Sequence, residues 1–226
     1  MSSVPSRPPT RSSSPLPLLQ DRVGPRTRVL FVGINPGVRS SLTGHHFAGY
    51  SNRFWKLLYE ARVVPVPMTA EQDVKLPSWG YGVTNLVRRP TPGIGELSRA
   101  EYEGGRRRLL AKIRRLKPLV VVLVGVTLHR MLFPKSRGAL TLGLQAEVLC
   151  GARVFLLPNP SGRNANYSYA EMLTAFRRLA RYLSTIGTSG HRDIGHRDIA
   201  ASGHRQSPAL RAAHADGGQT PSQALK

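Results

Sequence analysis

The sequence predicts a three-layer α/β/α domain around a mostly parallel sheet, and three observations carry the prediction. Short apolar, β-branched runs alternate with helix-period segments between Val29 and Leu183. One of those runs, Leu119–Val124, has no polar alternation, as suits a central parallel strand covered on both faces. Three strand candidates are each followed by a polar loop rich in Gly, Pro and Asn, and ligands of such sheets bind outside the carboxyl ends of the strands.

The elements follow in order. Arg28–Val32 is a buried strand ending at Gly33. Asn52–Ala61 is a short helix with Phe54, Leu57, Leu58 and Ala61 on one face, and Tyr81–Leu86 is a second strand. Ser98 and Glu101 form a capping box, behind which Tyr102, Leu109, Ile113 and Leu116 share one side of a helix that stops before Pro118. After the strand Leu119–Val124 comes a short helix over Val126–Leu132. Val148-Leu149 and Arg153–Leu157 bracket Gly151-Ala152 as a hairpin. Ser168 and Glu171 form a second capping box, opening a helix with Leu173, Phe176, Ala180 and Leu183 on one face.

Composition bounds the rest. The 226 residues carry 33 Lys and Arg against 12 Asp and Glu, a formal net charge of +21, with 40% hydrophobic residues, 22 Gly and 18 Pro. That suffices for one core rather than two. Within residues 29–183 alone there are 23 basic and 8 acidic residues, so the fold itself is basic and suits a polyanionic partner. The single cysteine, Cys150, excludes an internal disulfide, a Cys-based zinc site and a four-thiolate iron–sulfur cluster, and no metal or cofactor is expected. The longest apolar run, Leu119–Val126, is far shorter than the ~20 residues of a membrane span, and no secretory signal opens the chain, so a cytoplasmic monomer without membrane contact is expected. Residues 1–26, rich in Pro, Ser and Arg, read as a flexible basic arm and residues 27–186 as the domain. Residues 187–226 read as a low-complexity tail that repeats Gly-His-Arg-Asp-Ile. His191, His196, His204 and His214 fall in that tail; a His-rich metal site is one reading of them and an accidental repeat the preferred one. The chemistry is expected to survive removal of both ends.

Gly33-Ile34-Asn35-Pro36-Gly37 is a tight turn in which Pro36 fixes one φ and the glycines supply room or positive φ. Asn35 has no useful basicity, but its carbonyl can orient a water, which is enough for hydrolysis if the leaving group departs early. The alternative is a turn with a capping Asn. Neither a phosphate loop nor a dinucleotide fingerprint is present.

Gly33–Gly37 taken with Asn159-Pro160-Ser161-Gly162 resembles the mismatch-specific uracil/thymine DNA glycosylases of the uracil-DNA glycosylase superfamily. Further similar stretches are Phe47-Ala48, Asn52–Lys56, Tyr81–Thr84, Arg89-Pro90-Thr91 and Gly104-Gly105-Arg106, in order along residues 29–183. The resemblance implies a uracil-DNA glycosylase-like fold. It also implies a monofunctional enzyme that flips uracil out of G·U mismatches in double-stranded DNA and hydrolyses its glycosidic bond, with thymine or damaged pyrimidines as further substrates. In that reading Asn35 positions the water, and Gly33, Ile34, Pro36 and Gly37 line the base pocket. Phe47 stacks on the flipped ring, or is an ordinary core aromatic. Ser40 lies near the pyrimidine 5-position, and Asn85 assists the water or caps its loop. The loop Asn159, Pro160, Ser161, Gly162 presses into the duplex with Arg163 as its wedge, where relatives carry an apolar residue; Arg163 would then bond the orphaned guanine or contact phosphate. Asn164 and Asn166 belong to the same loop. Arg106, Arg107, Arg108, Lys112, Arg114, Arg115 and Lys117 crowd one helix, for most of which a solvated face remote from DNA is the preferred reading. Two other classes compete: a non-catalytic module for mismatched or single-stranded nucleic acid, and a small-nucleotide-binding α/β protein.

Overall fold

The computed structural model describes residues 16–136 and 140–187. Five strands, β1 (Val29–Gly33), β2 (Tyr81–Asn85), β3 (Val120–Val124), β4 (Gly143–Leu149) and β5 (Ala152–Leu157), form one sheet in the order β2-β1-β3-β5-β4. All neighbours are parallel except β4 and β5. The helices are α1 (Val38–Thr43), α2 (Phe54–Glu60), α3 (Arg99–Leu116), α4 (Val126–Leu132) and α5 (Tyr169–Gly187). None of the described helices is long and apolar enough to cross a membrane.

The sheet is covered on both faces, which is why β1 and β3 are wholly apolar apart from Gly33 and buried at every position. On one face Phe31, Val83, Val122 and Phe155 pack against Phe54 and Leu57 of α2 and Met172 and Phe176 of α5. On the other, Leu30, Val121, Leu123 and Val154 meet Leu109 and Ile113 of α3 and Leu128 and Leu132 of α4. The expected three-layer arrangement is therefore present. The hairpin turn sits one residue earlier than its sequence suggests. Cys150 and Gly151 take positive φ of 50° and 88°, so that Ala152 already pairs with Leu149. Both capping boxes form: at α3 Ser98 and Glu101 bond reciprocally, and before α5 the Ser168 N–H donates to Glu171 at 2.7 Å.

The start of the domain moves. Of the segment assigned to a flexible arm, residues 1–15 and the tail from 188 onward, with its histidines, lie outside the described residues, but residues 16–26 pack on the sheet edge. Arg22 pairs in antiparallel fashion with Val83, and Leu19 is buried. The Arg22 guanidinium donates to Asp73 at 2.9 Å, and Asp21 meets Lys112 and Thr84. Pro, Ser and Arg content misled the boundary because a few long-range anchors decide whether a strap docks, not its average hydropathy. Lys112, counted above with the basic face of α3, is turned inward as the strap's partner.

Candidate active site

The chain leaves β1 toward one side of the sheet, to β2, and leaves β2 for the other, to β3, so the strand order reverses at the β1/β3 boundary. Ligands of open α/β sheets sit at this switch point. A cleft of about 890 Å³ opens there, lined by the turn after β1, the loop after β2, Val124–Thr127 after β3 and the loop after β5. No carboxylate lines it among the described residues.

Backbone bonds hold the β1 turn to the β2 loop: Leu86 N–H donates to Gly33 at 2.9 Å, Val87 to Ile34 at 2.8 Å and Thr91 to Pro36 at 3.2 Å. Neither glycine of this turn uses positive φ, so of the two roles expected for them it is room that the turn uses. Gly33 is needed for room, since a Cβ there would lie 2.6 Å from Oδ1 of Asn85. Gly37 is the N-cap of α1 in extended backbone, and a Cβ on it would meet nothing within 4 Å, so its lack of a side chain leaves the cleft wall open.

Asn35 is fixed through its amide nitrogen. Nδ2 donates to Thr91 Oγ1 at 2.7 Å and faces the carbonyls of Pro36 at 3.2 Å and Arg89 at 3.4 Å. Thr91 spends its own proton on Gly93 O at 2.6 Å. Three acceptors on one side of the amide admit only the NH₂ there, so Oδ1 faces away from them, and it has no partner among the described residues. Behind it, Arg89 is held by Glu101 at 2.6 and 3.0 Å, which together with the Ser98 N–H draws the Glu101 carboxyl down to about 2.

Asn85 is oriented by a residue that sequence reasoning missed. His46 is buried, and its Nε2 lies 2.9 Å from Gln20 O, an acceptor only, so that nitrogen carries the proton. Nδ1 then accepts from Nδ2 of Asn85 over a long 3.4 Å, which leaves Asn85 Oδ1 over Gly33. Burial lowers the His46 pKa below 6.5, against the opposing pull of the Gln20 carbonyl and of Asp73. The His45-His46 doublet beside Phe47 was the available signal, obscured by the histidines of the tail.

Phe47 is a core aromatic that also reaches the cleft. It stacks on the buried Phe54 with centroids 3.9 Å apart, while the ring also lines the cleft. Its φ of 53° is unusual for a side chain of this size, and the neighbours hold it there. His46 N–H donates to buried Asp73 at 2.9 Å, His46 O accepts from Trp55 at 3.0 Å, and Ala48 N–H donates to Ser40 Oγ at 3.0 Å. Ser40 thus pins the Phe47 turn as well as lining the cleft.

The loop after β5 is built by its own asparagines. Asn159 Oδ1 accepts from Ser161 N–H at 3.1 Å, and Asn164 Nδ2 donates to Asn159 O at 2.8 Å. Ser161, Arg163, Asn164 and Asn166 line the cleft with Asn159. Pro160 and Gly162 do not; they fasten the loop to residues 51–53. Pro160 O accepts from Arg53 N–H at 2.9 Å, and a Cβ on Gly162 would lie 2.5 Å from that of Ser51. Arg163 is exposed and reaches Pro92 O at 3.2 Å across the cleft mouth. Tyr50, Thr91 and Arg130 also line the cleft and were not singled out from the sequence as site residues.

A mostly parallel sheet, a switch-point cleft walled by amides and aromatic rings, and a basic body define an α/β protein with a ligand-sized cleft at the carboxyl ends of its strands. The family can be stated outright. The chain belongs to the uracil DNA glycosylase superfamily, whose model matches residues 20–183, residues 20–26 of the strap among them. Members of that superfamily are DNA glycosylases, hydrolases of N-glycosyl bonds in DNA.

Proposed function

We propose that this protein is a monofunctional, monomeric glycosylase that excises uracil from G·U mismatches in double-stranded DNA, with thymine opposite guanine as a slower substrate. The observation that carries the proposal is the locked amide of Asn35, whose free Oδ1 lies in a cleft without carboxylates.

Rupture of the glycosidic bond places positive charge on the sugar and negative charge on the pyrimidine. A water held by Asn35 Oδ1 captures the sugar cation once the bond has largely broken, and its surplus proton then passes to the departed pyrimidine anion or to solvent, so no strong base is required. The departing anion is stabilised by fixed donors rather than by a proton. The N–H of Phe47, without a partner among the described residues, is available to a pyrimidine oxygen. Asn85, with Nδ2 turned to His46, offers Oδ1 as an acceptor. That suits the N3–H of uracil or thymine and opposes cytosine, whose N3 is itself an acceptor. Phe47 supplies the stacking face, worth ~1–3 kcal/mol per base. Flipping costs least at a weakly paired base, which favours G·U over A·U. Arg163 fills the space left in the duplex and reaches guanine N7 and O6 or the backbone.

The test is a single-turnover comparison of G·U, A·U, G·T, G·C and single-stranded uracil substrates. Excision fastest at G·U and absent at cytosine supports the reading. Equal rates at A·U would overturn the mismatch preference, and tight binding with no excision of any substrate would favour the non-catalytic module.

A further inference from the structure

Tyr50 is 90% exposed, although it stands on the rim of the cleft three residues from Phe47. Exposed aromatics scattered singly are ordinary, but this one is prepared. The guanidinium carbon of Arg39, from α1, lies 3.7 Å from the centre of its ring, and Arg39 Nε is anchored to Ala48 O at 2.7 Å. The turn that carries Tyr50 is closed by Asn52 N–H donating to Gly49 O at 2.9 Å. It is also clamped to the loop of Arg163 through Arg53 N–H to Pro160 O at 2.9 Å and through the Ser51–Gly162 contact. Phe47, Tyr50 and Arg163 are thus carried on one double loop.

We propose that Tyr50 with Arg39 forms a second nucleic-acid site outside the base pocket, stacking the nucleobase adjacent to the flipped nucleotide while Arg39 meets its phosphate. The inference rests on the DNA-directed reading of the cleft. Charge and chemistry select the occupant: a π face with a guanidinium beside it matches a base and its phosphate, and an aromatic platform accepts any base because every base has a π face. Unstacking a nucleotide leaves its neighbour with an uncovered face, and a platform next to the pocket would cover it.

The experiment uses the full chain and a duplex holding a tetrahydrofuran abasic analogue opposite guanine, with 2-aminopurine on one side of it or the other. Wild type is expected to change the fluorescence of 2-aminopurine on one side only. Tyr50→Ala should abolish that change and weaken binding about tenfold, whereas Tyr50→Phe should retain both. Arg39→Ala should weaken binding and make it less sensitive to salt. Tyr50→Ala that binds and alters fluorescence like wild type would overturn the proposal, as would a wild type that binds no DNA. Excision of uracil is scored separately on the same preparations. A wild type that binds but does not excise would count against the glycosylase reading, while the contrast between Tyr50→Ala and Tyr50→Phe still decides the platform.

Discussion

At the scale of single residues the account turns on two amides, each held by its nitrogen so that its oxygen faces the cleft. Gly33→Ala tests the second of them. The added Cβ would meet Asn85 Oδ1 at 2.6 Å, so the fold should persist while excision drops about 10²-fold through misplacement of that group. A crystal structure of the variant with Asn85 unmoved, or an unchanged rate, would contradict the assignment. His46 offers a pH test. Its folded pKa lies below 6.5, mainly because of burial, so the unfolded chain binds the proton first. Its contribution to stability is therefore complete above about 6.5, declines as pH falls through that value by at most about 1.4 kcal/mol per unit, and levels off below the folded pKa. Chemical denaturation of wild type and His46→Gln between pH 5 and 8 checks this. The difference between the two should grow toward pH 8, and a difference independent of pH would refute it.

At the scale of elements the strap of residues 16–26 and the 3-10 turn Ala70–Trp79 act together through Asp73, which is fully buried and accepts from Arg22, His45 and the His46 N–H. Removing one partner of a buried ion pair leaves a charge uncompensated, so Arg22→Ala should destabilise the domain by about 3 kcal/mol and slow excision through the Phe47 turn. Removing residues 1–15 should leave thermal stability and excision intact, whereas removing 1–26 should impair both; equal behaviour of the two truncations would show that the strap is dispensable. What was legible in the sequence follows the same division. The helices α2 to α5 and the strands were readable because apolar period and capping boxes are local signals, except that of β4 only Val148-Leu149 was read and Gly143–Glu147 was not. The six-residue α1, the 3-10 turn and the strap were not, because tertiary contacts at Ser41, Asp73 and Arg22 hold them. The three loops at the strand ends were legible from their Gly, Pro and Asn content, and the structure brings all three to one cleft. His46 and Tyr50 were not: the His45-His46 doublet marks a place without showing that His46 is buried against Gln20, and nothing in the local pattern stacks Tyr50 on Arg39.

For the whole molecule, charge and topology point to different ends. The α3 helix starts at Ser98, four residues after Ile94 of the cleft wall, and ends beside the start of β3 at the other end of the sheet, so that Arg114, Arg115 and Lys117 lie ~24 to 28 Å from Ser98 at 1.5 Å per residue. Arg114→Gln with Lys117→Gln should leave the rate of excision by bound enzyme unchanged. Duplex affinity should fall steeply with salt, about 10³-fold between 50 and 200 mM if some six phosphates are contacted, because counterions are released on binding. A titration with no salt dependence would refute a phosphate-dominated interface. The central claim is that a water held by Asn35 hydrolyses the glycosidic bond of a flipped uracil. The most direct test is single-turnover excision from a duplex with one G·U pair, comparing wild type with Asn35→Ala at saturating protein and matched DNA binding. Wild type should form alkali-labile abasic sites rapidly, and the variant at a rate lower by about 10²-fold or more. Equal rates in the two proteins would contradict the claim.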